Sequence, residues 1–379
     1  MNDNGPCRLK SAGQSVWLDF ITRELVRSGR LQELIEDDCI RGLTTNPTIF
    51  QKAVSGSADY DDDIRRAALE GIDTEELYHR LILDDALTAC RALFPLFQLS
   101  RGADGFVSVE VSPERARDAA GTAREAVELV EEAQCQPNLM IKVPGTAEGL
   151  EAIRKLTAEG FHINVTLIFS PVQYTAIAET FMSGLEDRAA AGRPIDSIKS
   201  VASFFISRID TAVDKSIDAR LAEDPGGTGS ARLAELRGRL GVATAQEAYR
   251  INRRLYAGER WRRLAELGAR SQRLLWGSTG TKDPAYSDVK YVEELVGPET
   301  VNTMPLPTLE AFADHGRVEP TLGRDLEAVD ADLKAARDLG VDLGAVYDEL
   351  LEEGIEKFSA SYRQLLDLLD EKRHGLSAA

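Results

Sequence analysis

Several things are scarce in this chain, and each shortage removes a class of protein. Cysteine and histidine number only four each in 379 residues. Cys7, Cys39, Cys90 and Cys135 are widely spaced with no CxxC pair, and His79, His162, His315 and His374 form no cluster with them. Metal sites built from these residues need closely spaced ligands, so no metal is expected, and the thiols read as reduced ones in a cytoplasmic protein. Positive charge is also in deficit. Lys+Arg total 45 against 63 Asp+Glu, a formal net charge of −18. That speaks against nucleic acid or an anionic membrane surface as partner, but not against small anions, since a local basic site fits inside an acidic protein. No apolar run approaches the roughly 18–20 residues of a membrane span. The opening Met1-Asn2-Asp3-Asn4-Gly5-Pro6 lacks the basic and apolar regions of a signal peptide. Neither GxGxxG nor a P-loop lysine motif occurs, and no cofactor is expected.

What is present is ordinary globular composition, 43% hydrophobic and 28% charged, long enough for one large domain or two moderate ones. Short apolar or alternating runs recur at 15–20, 39–46, 106–112, 137–144, 161–169, 200–207, 273–279 and 299–304. Segments of helical spacing separate them. Asp73 with Glu76 reads as a capping box opening a helix to about Phe97. Ser112-Pro113 and Ser170-Pro171 read as cap-and-proline helix starts. A long helical region over 208–272 is broken at Asp224-Pro225-Gly226-Gly227-Thr228-Gly229, taken as a surface loop. Eight strands alternating with helices predict a parallel (β/α)8 barrel with an enlarged helical layer. A doubly wound sheet is second choice, because it would want a glycine-rich loop after its first strand. The expectation is one domain over 1–379, with short flexible ends at about 1–12 and 373–379.

The run Pro137-Asn138-Leu139-Met140-Ile141-Lys142-Val143-Pro144 puts a lysine in the middle of a buried strand. Lysine is rarely fully buried unless it is paired or has a task, and a desolvated amine is a nucleophile. Snorkelling to water is the bland reading. Period-2 alternation places Glu110, Lys142, Asn164, Thr166 and Ser203 on the inner faces of four adjacent strands. Asp19 and Asn46 add a carboxylate and an amide from the first two. Asn46 before Pro47 also reads as a helix cap, and Glu110 with Lys142 as a structural ion pair. Polar groups gathered late in barrel strands favour a catalytic site. An amine with a neighbouring carboxyl suggests Schiff-base chemistry on a ketone. Arg208 and Lys282, just past the sixth and seventh strands, suit a phosphate, or else merely face solvent.

Thr44-Thr45-Asn46-Pro47-Thr48, Val109-Glu110-Val111, Ile141-Lys142-Val143-Pro144, Asn164-Val165-Thr166-Leu167-Ile168-Phe169-Ser170 and Ser203-Phe204-Phe205-Ile206-Ser207-Arg208 resemble the transaldolase family. Trp276-Gly277-Ser278-Thr279-Gly280-Thr281-Lys282-Asp283-Pro284 and Asn302-Thr303-Met304-Pro305 resemble its longer bacterial subgroup. The resemblance spans about residues 15–315. It implies transfer of a dihydroxyacetone unit between sugar phosphates in the pentose phosphate pathway. It also implies that Lys142 forms the Schiff base, and that Glu110 moves protons through a water held by Thr166. Asp19 would deprotonate the C4 hydroxyl, and Asn46, Asn164 and Ser203 would hold substrate hydroxyls. Arg208 would hold the phosphate. The family's second phosphate arginine has no counterpart, and Lys282 is nearest in position. Fructose 6-phosphate aldolases, which resemble this family, tend to carry glutamine at the position of Glu110 and tyrosine at that of Phe205. Both residues here favour the transferase. Monomer and homodimer are left open.

Overall fold

The computed structural model describes residues 4–377. Its strands are β1 (Gln14–Leu18), β2 (Ile40–Thr44), β3 (Phe106–Glu110), β4 (Leu139–Pro144), β5 (Ile163–Ile168), β6 (Ser200–Phe204), β7 (Arg273–Trp276) and β8 (Thr300–Met304). They close in chain order into one barrel, β8 pairing back onto β1. Every pair is parallel. The architecture is therefore the (β/α)8 barrel that the strand–helix alternation predicts. The enlarged layer is also present. Between β6 and β7 stand four helices, Ile206–Glu223, Ser230–Glu235, Leu240–Ala257 and Glu259–Glu266.

Alternation decides what fills the barrel. Trp17, Phe106, Met140, Val201, Leu275 and Val301 form an apolar floor at its lower end. Gly42 has to lack a side chain there, because a Cβ would lie 2.6 Å from the Trp17 ring. One or two inward positions further along the strands, the filling turns polar: Ser108, Glu110, Lys142, Asn164, Thr166 and Ser203, each buried. The valines between them face the helices and join the main core.

Local chemistry explains the helix starts. Asp73 and Ser170 cap as their sequences suggest, accepting from the N–H of Glu76 and Gln173. Ser112-Pro113 departs from expectation. It opens only a short 3-10 turn, Pro113–Arg115, and the following helix, Ala119–Glu132, is capped by Asp118 accepting from Gly121.

Two further expectations are overturned. Cys7 and Cys39 are not separate reduced thiols: they form a disulfide, with Cα atoms 5.2 Å apart across 32 residues of sequence. The pair arises because the helix Gly5–Ser11 docks beside the start of β2, a proximity no local spacing reveals. Cys90 and Cys135 remain free. The ends expected to be flexible are helical. Asn4 caps Gly5–Ser11, which buries Cys7 and Leu9, and the C-terminal helix runs Leu343–Ser377. Residues 1–3 and 378–379 lie outside the described residues.

Candidate active site

The site is assembled by register. Glu110 on β3 pairs with Lys142 on β4, and Lys142 pairs with Asn164 on β5. All three residues therefore sit at one height, about 4.8 Å apart strand to strand. Lys142 Nζ lies 3.0 Å from Glu110 Oε2, with both side chains almost wholly buried. The ammonium also donates to the Thr45 carbonyl at 3.2 Å and faces the Phe358 ring, 5.8 Å from its centroid. Burial pushes the Glu110 carboxyl above the usual range, and the Lys142 charge pulls it partly back. Apart from that ion pair, neither Glu110 oxygen has a hydrogen-bond partner among the described residues, and nor has Thr166 Oγ1. Buried polar atoms left over in this way are costly. They are also where a proton-carrying water or a substrate oxygen would bond.

The amides are oriented rather than loose. Ser203 Oγ donates to Asn164 Oδ1 at 2.7 Å, and Asn164 Nδ2 donates to Ser108 Oγ at 3.0 Å. One N–H of Asn164 is left over. Asn46 serves as the helix cap that the sequence suggests. Its Oδ1 caps the helix Pro47–Ser55 by accepting from Ile49 N at 3.0 Å, which leaves the Nδ2 donors free for a ligand. Asp19, half-buried beyond the end of β1, accepts from Thr44 Oγ1 at 2.9 Å. It does not cap the next helix, where Thr22 accepts from Leu25 N instead.

The strict alternation of β5 fails at its end. Leu167 adopts a left-handed φ of 58°, and the β5–β6 register shifts between Val165 and Ile168. Gln173 braces this kink. It accepts from Phe169 N at 3.0 Å and donates to the carbonyls of Leu167 and Gly145 at 2.9 and 2.8 Å. Strain in a non-glycine residue at a strand's functional end is a usual companion of active sites.

Arg208 lines a pocket of about 580 Å³ whose walls also include Lys215, Lys282 and Lys357. Arg208 packs its guanidinium 5.0 Å from the Phe205 ring and 5.6 Å from Phe358. Partial desolvation lowers its pKa, against the pull of Asp19 and Glu110. Lys282 stays exposed, yet its pKa is lowered by desolvation and then by repulsion from Arg208. The structure joins Glu110, Lys142, Asn164 and Ser203 by register and hydrogen bonds, and stacks Arg208 on Phe205 in a pocket it shares with Lys282. It adds others that sequence reasoning passed over: Ser108, the Thr45 carbonyl, and Gly354, Lys357 and Phe358 of the C-terminal helix. Ser108 lies two residues before Glu110 on β3, so period-2 alternation turns it to the same inner face. The last three lie beyond any motif in the sequence.

A closed parallel barrel with a lysine paired to a carboxylate inside its C-terminal mouth, and cations at the rim, has the build of a (β/α)8 enzyme of the lysine-dependent aldolase type. The profile of the transaldolase/fructose-6-phosphate aldolase family matches residues 16–369, and the chain belongs to that family. It is 41% identical to the transaldolase of Trichodesmium erythraeum (strain IMS101) over 374 residues, 98% of both chains. It is 45% identical to the transaldolase of Mycobacterium ulcerans (strain Agy99) over 364 residues, 95% of this chain and 94% of the relative. The transaldolase of Thiobacillus denitrificans (strain ATCC 25259 / T1) is also 45% identical, over 354 residues covering 93% and 96% of the two chains. The family match extends past the strand motifs into the C-terminal helix.

Proposed function

We propose that the chain is a transaldolase of the pentose phosphate pathway, one barrel domain that moves a dihydroxyacetone unit from sedoheptulose 7-phosphate to glyceraldehyde 3-phosphate. The products are erythrose 4-phosphate and fructose 6-phosphate. The observation that carries this reading is Lys142 held in register between Glu110 and Asn164, 3.0 Å from the carboxylate and shut away from bulk water.

Glu110 takes a proton from the Lys142 ammonium, and the freed amine adds to the substrate ketone carbon. Loss of water, with the proton supplied through Glu110 and a water on Thr166, leaves an iminium. Asp19 takes the proton of the C4 hydroxyl, the C3–C4 bond breaks, and its electron pair flows into the iminium to give an enamine. The aldose phosphate leaves and a second aldose phosphate reverses the steps. The remaining N–H of Asn164, with Ser203 and Asn46, holds the hydroxyls of the three-carbon unit. Arg208 holds the phosphate by its fork, stacked against Phe205, and Lys282 adds a second charge. Glu110 and Phe205 favour transfer over simple aldol cleavage.

No helix among the described residues is long and apolar enough to cross a membrane, and cytoplasmic placement is part of the proposal, as is a monomer or homodimer. Placement there makes a demand of the Cys7–Cys39 pair, which must tolerate the dithiol state in a reducing cytosol.

Borohydride added with fructose 6-phosphate will leave a reduced three-carbon adduct on Lys142, located by peptide mass spectrometry, and Lys142→Ala will lose both adduct and coupled transaldolase activity. An adduct on another lysine sinks the mechanism. Turnover of fructose 6-phosphate that is indifferent to erythrose 4-phosphate would instead make the enzyme an aldolase.

A further inference from the structure

The C-terminal helix, Leu343–Ser377, touches β5 itself and elements that follow β2, β3 and β6, so it lies across the open end of the barrel. Phe358, 2% exposed, is the residue it sets over the reacting groups. The ring stands 5.8 Å from Lys142 Nζ and 5.6 Å from the Arg208 guanidinium carbon. One turn earlier, Gly354 lets the helix come down onto the kinked end of β5. A Cβ there would lie 2.9 Å from Leu167 Cδ2 and 3.5 Å from Arg208 Nη1. One turn later the helix is pinned again. The Ser361 hydroxyl shares a 2.8 Å hydrogen bond with Thr48 Oγ1, and Tyr362 meets Tyr78 edge to face at 5.1 Å. Phe358 is therefore held between two anchored turns, and one ring contacts both the nucleophile and the phosphate-holding cation.

Resting on the transaldolase reading, we propose that Phe358 is a positioning residue that keeps the enzyme a transferase: it excludes water from the Lys142-bound three-carbon unit and steadies Arg208 against the phosphate. The loss it prevents is hydrolysis. The enamine takes a proton at carbon and becomes an iminium. Water adds its oxygen to the carbon doubly bonded to nitrogen, its proton passes to that nitrogen, the C–N bond breaks as the new hydroxyl closes to a ketone, and free dihydroxyacetone departs from the Lys142 amine. A flat apolar ring that offers no hydrogen bond to a water is suited to block this. The same face attracts the guanidinium.

The test compares wild type, Phe358→Ala, Phe358→Leu and Leu365→Ala, a buried residue two turns further along the same helix. Dihydroxyacetone released from fructose 6-phosphate without acceptor is measured against transfer to erythrose 4-phosphate. Phe358→Ala should raise the release-to-transfer ratio on the order of ten-fold through lost water exclusion, and KM for fructose 6-phosphate about three-fold, the size of one cation–π contact. Phe358→Leu should return the ratio toward wild type and leave KM raised, while Leu365→Ala should lower stability alone. An unchanged ratio in a folded Phe358→Ala enzyme overturns the proposal. So does an equal rise in Leu365→Ala, which would make the effect a general loosening. A wild type that makes no transfer at all is a different failure, and it removes the transaldolase reading and this proposal together.

Discussion

Lys142 and Glu110 are each almost fully buried, and neither charge would be tolerable in that place alone. Together they form a pair whose leftover oxygens have nothing else to bond. The sequence shows this much because an apolar strand has no structural use for either side chain, and period 2 turns both inward. It does not show that Asn164 is tied at both ends, to Ser203 and Ser108, because those bonds depend on how far each strand is slid against the next. Glu110→Gln tests the pair at this scale. The amide keeps the shape and cannot move a proton. The turnover number kcat should fall by roughly 10²–10⁴, with KM for fructose 6-phosphate little changed. The variant should also lose whatever limb of the pH–rate profile the raised Glu110 carboxyl supplies in the wild type. Steady-state kinetics across pH checks both, and an unchanged kcat would reduce Glu110 to a structural counter-ion.

Among elements, strands and caps follow from local pattern, whereas docking of the two terminal helices does not. The helix Gly5–Ser11 carries Cys7 to Cys39. In the sequence these are two residues 32 apart in a protein that otherwise reads as thiol-reduced. The cross-link closes a loop whose entropy in the unfolded chain corresponds to about 3–4 kcal/mol on the polymer model. Reduction, or Cys39→Ser, should therefore lower the thermal midpoint by several degrees and leave the kcat of the folded enzyme nearly intact, since the bond lies at the start of β2, away from the catalytic mouth. Calorimetry with and without dithiothreitol reads the first effect and the coupled assay the second. A midpoint that ignores the reductant would show the link to be energetically idle. The C-terminal helix is the other long-range element. Its sequence is amphipathic and unremarkable in pattern. Only the missing side chain at Gly354 and the contacts of Phe358 mark it as part of the mouth.

Over the whole molecule the formal net charge is −18, yet Arg208, Lys215, Lys282 and Lys357 line one pocket at the mouth, with Glu349 and Glu353 among them. Under the proposed function, such a group of cations in an acidic body would serve to draw phosphorylated sugars. Its reach is set by screening. The Debye length shrinks from about 30 Å at 0.01 M to about 8 Å at 0.15 M salt. Raising sodium chloride over that range should lower kcat/KM for fructose 6-phosphate several-fold, while borohydride trapping of unphosphorylated dihydroxyacetone on Lys142 stays flat. Equal salt effects on both would assign the cations to the surface rather than to the phosphate.

At this same scale, the order of eight strands and the inward face of each, and hence Lys142, Glu110 and Asn164 facing one interior from adjacent strands, were determined by sequence alone, because hydrophobic periodicity and the pleat are local properties of the chain. The disulfide, the kink at Leu167 and the helix that seats Phe358 over the amine were decided only by the tertiary structure. Each depends on the distance between segments far apart in the chain, and that distance exists only once the barrel has closed.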